Sequence, residues 1–194
     1  MTVPSPPRHP TIDRAMADAR TWCAGRIIDD RPAIAHAVRV AVTLGRHVPD
    51  VAPDMVAAAL LHDSPEFAPA GINLDAVLTS RYGPEVTRVI RALEVEHAAL
   101  DSPDPPVTVD DHPVLLISTA DKIVALTSLL RRAVLSGNID AFFGARPGLL
   151  RLLPYFRRCH RASAEHVPPT MTNQLGIVLD HLDQATAPAR LALR

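Results

Sequence analysis

The sequence predicts a single all-α domain. Apolar residues recur three or four places apart in one segment after another, with prolines and glycines between the segments. No stretch alternates apolar and polar residues as a strand would. A chain of 194 residues is long enough for one well-packed core. With 47% apolar residues and only 4% aromatics, that core must be built mainly from Ala, Leu, Val and Ile.

Taken in order, residues 1–10 hold Pro4, Pro6, Pro7 and Pro10 and read as a loose lead-in. Ile12, Ala15, Ala19 and Trp22 set a helix that Gly25 can end. Residues 26–31 form a polar connection with two arginines and two aspartates. Pro32 opens a helix to about His47, with apolar Ile34, Val38, Ala41 and Val42 and polar His36, Arg39 and Thr43. Residues 48–53 are a loop. The next helix, Met55 to Asp63, is almost wholly apolar until it ends in His62-Asp63, with Asp54 as its expected cap. Pro65 cannot continue it, and Ser64-Pro65 fits the cap and first position of a new helix that carries Glu66. Residues 64–71 otherwise read as irregular.

Asn73 to Tyr82 is a short amphipathic helix closed by Gly83, and Pro84 starts another that extends to about Leu100. The Asp- and Pro-rich residues 101–113 form a surface loop; neither flank would make a core alone, so no domain boundary falls there. Pro113 to Ser136 is a second strongly apolar helix with Asp121 in its middle. Residues 137–147 are a break containing Phe142 and Phe143. Two more helices follow, about 148–166 and 169–184, before a frayed tail over 186–194.

A formal net charge of -1 signals neither a nucleic-acid-binding surface nor an acidic tail. Cys23 and Cys159 are too few for a disulfide scaffold and read as reduced thiols. There is no basic-then-apolar leader pattern and no run of about 18 apolar residues, so the expected location is the cytoplasm, away from any membrane.

Four groups interrupt apolar helical stretches: His36, the adjacent His62 and Asp63, and Asp121. Burying adjacent ionisable groups without partners is costly, and a metal ion satisfies several at once. Two imidazoles and two carboxylates suit a divalent transition metal such as Mn, Fe, Co, Ni or Zn. Four ligands on an octahedral ion leave positions for water and a phosphate oxygen, and the acidified water is the expected nucleophile. Glu66, three positions past Asp63, is placed to orient that water or take its proton. Singly, each residue has an ordinary reading: His36 as a boundary histidine, Asp63 as a cap, Asp121 as a hydrogen-bonded carboxylate, Glu66 as a first-turn acid. Their order, spacing and apolar context agree only as a set.

That set resembles the H…HD…D signature of the HD-domain metal-dependent phosphohydrolases. Within them the chain is similar to the hydrolase domain of the Rel/Spo alarmone enzymes and their small stand-alone relatives. The matching pieces are Pro32-Ala33-Ile34-Ala35-His36, Ala57 to Asp63, Arg81-Tyr82-Gly83-Pro84-Glu85-Val86 and Ala120-Asp121-Lys122-Ile123. The likeness covers roughly residues 11–135, and more weakly the Phe142-Phe143 region and Leu153-Pro154-Tyr155-Phe156. It implies an HD-type helical bundle over 11–185, with core motifs within 32–135. It also implies a divalent metal, manganese first, on His36, His62, Asp63 and Asp121. The implied activity is release of phosphate or pyrophosphate from a nucleotide or similar small phosphorylated metabolite, as in (p)ppGpp hydrolysis, with Glu66 matching the Glu of the HDxxED motif. Lys122, Arg26 and Arg31 are the candidate phosphate or base contacts. The family commonly forms dimers, so a homodimer is one assembly the resemblance allows.

The chain also departs from that pattern. Phe67 stands where the alarmone hydrolases have the second acid, Ala33 where they have Tyr, and Ala125 where they have Asn four residues past the last ligand. Lys122 replaces an Arg and loses its bidentate fork. Kept metal positions with changed substrate-contacting ones imply retained hydrolytic machinery on a different or relaxed substrate. The HDxxE form is similar to the HD 5′-nucleotidases, the first alternative; a metal- or nucleotide-binding regulatory module without turnover is the second.

Overall fold

Proline and side-chain caps set most of the helix ends. A computed structural model describes residues 9–28, 30–107 and 109–192. Helices α1 (Pro10–Trp22), α3 (Pro53–Leu61), α4 (Ser64–Phe67), α6 (Pro84–Ala99), α7 (His112–Leu135) and α9 (Pro147–Ser163) each carry Pro in the first two positions, where the missing N–H costs nothing. Asn73 caps α5 (Leu74–Tyr82) by accepting from the Ala76 amide, and Asp111 caps α7 by accepting from Val114. Gly83 separates α5 from α6 at φ 92°, a conformation an L side chain rarely adopts. Helices α2 (Ala33–His47), α8 (Ile139–Gly144) and α10 (Pro169–Ala192) complete the set. The sole sheet among the described residues is a two-residue antiparallel pair, β1 (Ile27–Ile28) with β2 (Arg31–Pro32).

The fold is therefore all-α, as the periodicity implies, with local differences that have physical reasons. Asp54 does not cap α3: Ala52 holds that position and Pro53 starts the helix. Pro32 precedes α2 and ends β2, because it pairs back onto Ile27 in the antiparallel β1–β2 ladder. Ser64 lies inside α4 and Asp63 at its cap position. The expected break around Phe142-Phe143 contains α8, which Asn138 starts by accepting from the Ala141 amide and Phe143 anchors by complete burial. The described part of the expected tail is helical: α10 runs through Pro188, since Leu182 and Ala189 continue its buried face on both sides of the proline. The lead-in before His9 lies outside the described residues.

Helix α7 is the axis of the molecule, packed by α2, α3, α6, α8, α9 and α10. By length and composition it could cross a membrane, but 67% of its most apolar window is buried inside the bundle. It is a core helix, and its Ile117, Ala120 and Ile123 are almost completely inaccessible. Tyr82 and Arg81 on α5 both bond Asp18 on α1, the arginine at 2.9 Å, which ties the α5–α6 pair to the N-terminal helix. One end of the bundle thus gathers the first turns of α2, the α3–α4 junction, the last turn of α6 and the middle of α7.

Candidate metal centre

Three of those pieces deliver the polar groups singled out in the sequence. His36 projects from α2, His62 and Asp63 occupy the turn where Pro65 prevents α3 from continuing into α4, and Asp121 comes from α7. His36, His62 and Asp121 offer donor atoms that all lie within 4.8 Å of one another, a group able to hold a metal ion. The His36 Nε2 lies 2.9 Å from Asp121 Oδ1, and the His62 Nε2 lies 3.8 Å from the same oxygen. Asp63 stands beside them with its carboxylate split between the two rings. Its Oδ1 is 3.3 Å from His62 Nε2 and its Oδ2 is 3.9 Å from His36 Nε2.

The state of His62 decides whether this group fits a cation. Its Nδ1 lies 2.9 Å from the Ala59 carbonyl oxygen. A carbonyl only accepts, so in the neutral ring the proton sits on Nδ1 and Nε2 presents a lone pair. That Nε2 is buried and has no hydrogen-bond partner. It faces two carboxylate oxygens, which are acceptors as well. A lone pair aimed at two acceptors in a buried site is costly, and a cation among them removes the cost. The donor set of nitrogen and oxygen suits a divalent transition metal.

The electrostatics agree. Burial pushes the His36 imidazole down, but the hydrogen bond and charge of Asp121, with Asp63 behind them, outweigh it and leave the ring above its ordinary value. Burial pushes the Asp121 carboxyl up, yet His36 and His97 hold it well below the usual carboxylate range. The field that favours a proton on these rings favours a metal cation for the same reason.

His97 was assigned no role from the sequence. It reaches the site from α6, with Nε2 3.4 Å from Asp121 Oδ2 and its ring edge-on to His62 at a centroid distance of 6.0 Å. Asp121 therefore uses one oxygen toward the His36–His62 pair and the other toward His97. The signal was present: Val86, Ile90, Leu93 and His97 fall on one helical stripe, so His97 continues a buried face.

A cavity of about 230 Å³ opens beside the cluster, lined by His62, Asp63, Pro65, Glu66, Glu94, His97 and Ala98. Glu66 is exposed at its wall, in reach of solvent and of a ligand entering the cavity. Phe67 points the other way. It is buried against Cys23 and Ala33, with Trp22, Ile28 and Ile34 around them. Two of the departures from the alarmone-hydrolase pattern, Phe67 and Ala33, thus belong to one small apolar cluster.

The three expected substrate contacts lie away from the cluster. Lys122 faces away from the cavity and is buried, bonded to Glu96 and to the Ser118 hydroxyl at 2.7 Å. Glu96 also accepts from Ser118 at 2.8 Å and from the Tyr155 hydroxyl at 3.0 Å, so Lys122 is committed to an internal α6–α7–α9 network. One residue past Asp121, the helix turns its side chain about 100° from the His36–His62–Asp121 cluster. Arg26 is exposed and lines no cavity at the cluster. Arg31 lines a different groove, with Arg131, Arg132 and Arg146.

No protein-family model matches the chain, and no curated protein matches it significantly.

Proposed function

We propose that this protein is a metal-dependent phosphohydrolase of the HD type that acts on a nucleotide or similar small phosphorylated metabolite. The observation that carries the proposal is the buried, unpartnered His62 Nε2 facing Asp63 and Asp121, with His36 closing the group. His36, His62, Asp63 and Asp121 would hold the ion, manganese first. When bound, such an ion supplies Lewis acidity toward a phosphoryl oxygen and lowers the pKa of water.

The chain's own residues do the rest. Glu66 orients a water at the cavity wall and takes its proton as general base. The Ala59 carbonyl keeps His62 in one tautomer and fixes the plane of its ring. His97 holds the outer oxygen of Asp121 and leaves the inner one for the cluster. The site has an open wall and no thiolate, which favours a reactive role over a structural one.

The test is a manganese-supplemented assay on guanosine tetraphosphate and a set of nucleoside monophosphates, with phosphate resolved from pyrophosphate. Hydrolysis that disappears in Glu66→Ala supports the proposal, and the product separates its two forms. Pyrophosphate marks an alarmone hydrolase; orthophosphate from monophosphates marks a 5′-nucleotidase. The burial of Phe67 gives the second form weight, because it leaves Glu66 as the lone acid of that pair at the cavity. Tight nucleotide binding without turnover in the wild type would instead identify a regulatory module.

A further inference from the structure

A second concave site lies between the entry to α2, the C-terminal half of α7 and α8. It is a groove of about 450 Å³, lined by Arg31, Arg131, Arg132 and Arg146 together with Ser128 and Phe142. That volume is in the ordinary range for small-molecule sites. Among the described residues, Asp30 is the only carboxylate that lines it. Asp30 accepts from the Arg132 Nε at 2.8 Å, but its side chain is 80% exposed, where an ion pair is worth little.

Two of the guanidinium groups are held in place. Arg146 lies 3.6 Å over the Phe142 ring and donates from Nη1 to the Phe142 carbonyl at 2.6 Å, which leaves the rest of its fork unused. Arg132 is fixed by Asp30 and lies 5.9 Å from the same ring. Arg31 and Arg131 have no ionic partner among the described residues. Arg31, Arg131 and Arg146, which have no ion pair among the described residues, place like charges around one groove and repel each other unless an anion joins them, in a chain whose formal net charge is -1. The cations have been gathered locally rather than spread by a basic composition.

We propose that this groove is a binding site for a small molecule carrying a phosphate chain. The planar forks of arginine match phosphate oxygens two at a time, so several of them around one groove match linked phosphates better than one carboxylate. A nucleic-acid duplex fits less well, since it needs a basic face that extends beyond one groove. The groove is distinct from the metal cluster but shares its supports. Ser128 follows Asp121 by seven residues on α7, two turns or about 10 Å along nearly the same face.

The proposal does not rest on the metal reading, and it is tested without metal. Inorganic tripolyphosphate is titrated into the full chain in chelator by calorimetry. Saturable binding at one site per chain is expected, with affinity reduced about tenfold or more by Arg31→Gln and by Arg131→Gln. Arg161→Gln, on α9 and outside the groove, should leave affinity unchanged, and Arg131 is exposed enough that its replacement spares the fold. Absence of saturable binding by the folded wild-type chain overturns the proposal. So does binding that all three variants weaken equally, which would mark diffuse attraction to positive charge.

Discussion

Replacing Lys122 with Met tests the internal network behind the His36–His62–Asp121 cluster. Lys122 and Glu96 are both buried, and they stand one residue from Asp121 and His97 respectively. Removing the lysine leaves Glu96 with only the Ser118 and Tyr155 hydroxyls, at 2.8 and 3.0 Å, to support its charge. Breaking one side of a buried ion pair costs about 3–5 kcal/mol. For a chain of this length, each kcal/mol lowers Tm by roughly 2–4 °C, so a fall of about 6–20 °C is expected. The double variant Lys122→Met with Glu96→Leu removes the stranded charge and forgoes two hydroxyl hydrogen bonds. It should therefore cost only about 1–3 kcal/mol. Thermal and urea unfolding of both variants give the comparison. A double variant less stable than the single would refute the reasoning, because the penalty assigned to an uncompensated Glu96 would then be absent.

The same pair gives a pH dependence. Burial pushes the Glu96 carboxyl up, but the charge and hydrogen bond of Lys122, with Ser118 and Tyr155, hold it below its ordinary value. A group depressed in the folded state contributes stability fully above its unfolded pKa of about 4.3, and that contribution is lost as pH falls through the folded value. Stability measured down a pH series should fall less steeply in Glu96→Gln than in the wild type over that acid range; parallel curves would exclude the linkage. Glu66→Gln should leave Tm nearly unchanged, because the side chain is exposed, while kcat on the identified substrate drops about 10²–10⁴-fold. A kcat within a few-fold of wild type would remove Glu66 from catalysis. His97→Ala should weaken metal binding about 10–100-fold by freeing Asp121 Oδ2, as read by competition with a chelating dye. Unchanged affinity would show that His97 does not position Asp121.

The sequence carried the helices better than it carried the site. Periodicity and proline placement set most of the helix ends, because those signals are local and their physics is backbone geometry. Helix α8 and the end of α10 were hidden behind residues that usually break helices. Phe143 and Ala189 hold those turns by burial, which depends on neighbours distant in the chain. Within the site, His36, His62 and Asp121 were legible because each interrupts an apolar stretch, and they meet in the fold. His97 was passed over as one histidine among several, although its place on the Val86–Ile90–Leu93 stripe marks it as inward-facing. Lys122 misled for the opposite reason. A lysine beside a ligand suggests a substrate contact, but its partner Glu96 lies 26 residues earlier, and only the packing of α6 on α7 brings the two together. Phe67 and Ala33 read as separate departures in the sequence and share one buried cluster in the fold.

The measurement that bears most directly on the metal centre is manganese binding by equilibrium dialysis, comparing the wild-type chain with His62→Ala and Asp121→Asn. Bound ion is counted per folded chain. One ion per wild-type chain is expected, with little or none retained by either variant while both remain folded by circular dichroism. No bound ion in the wild type, or equal binding in all three, would contradict the assignment of His36, His62, Asp63 and Asp121 as a metal site, and the proposed hydrolase activity would lose its foundation.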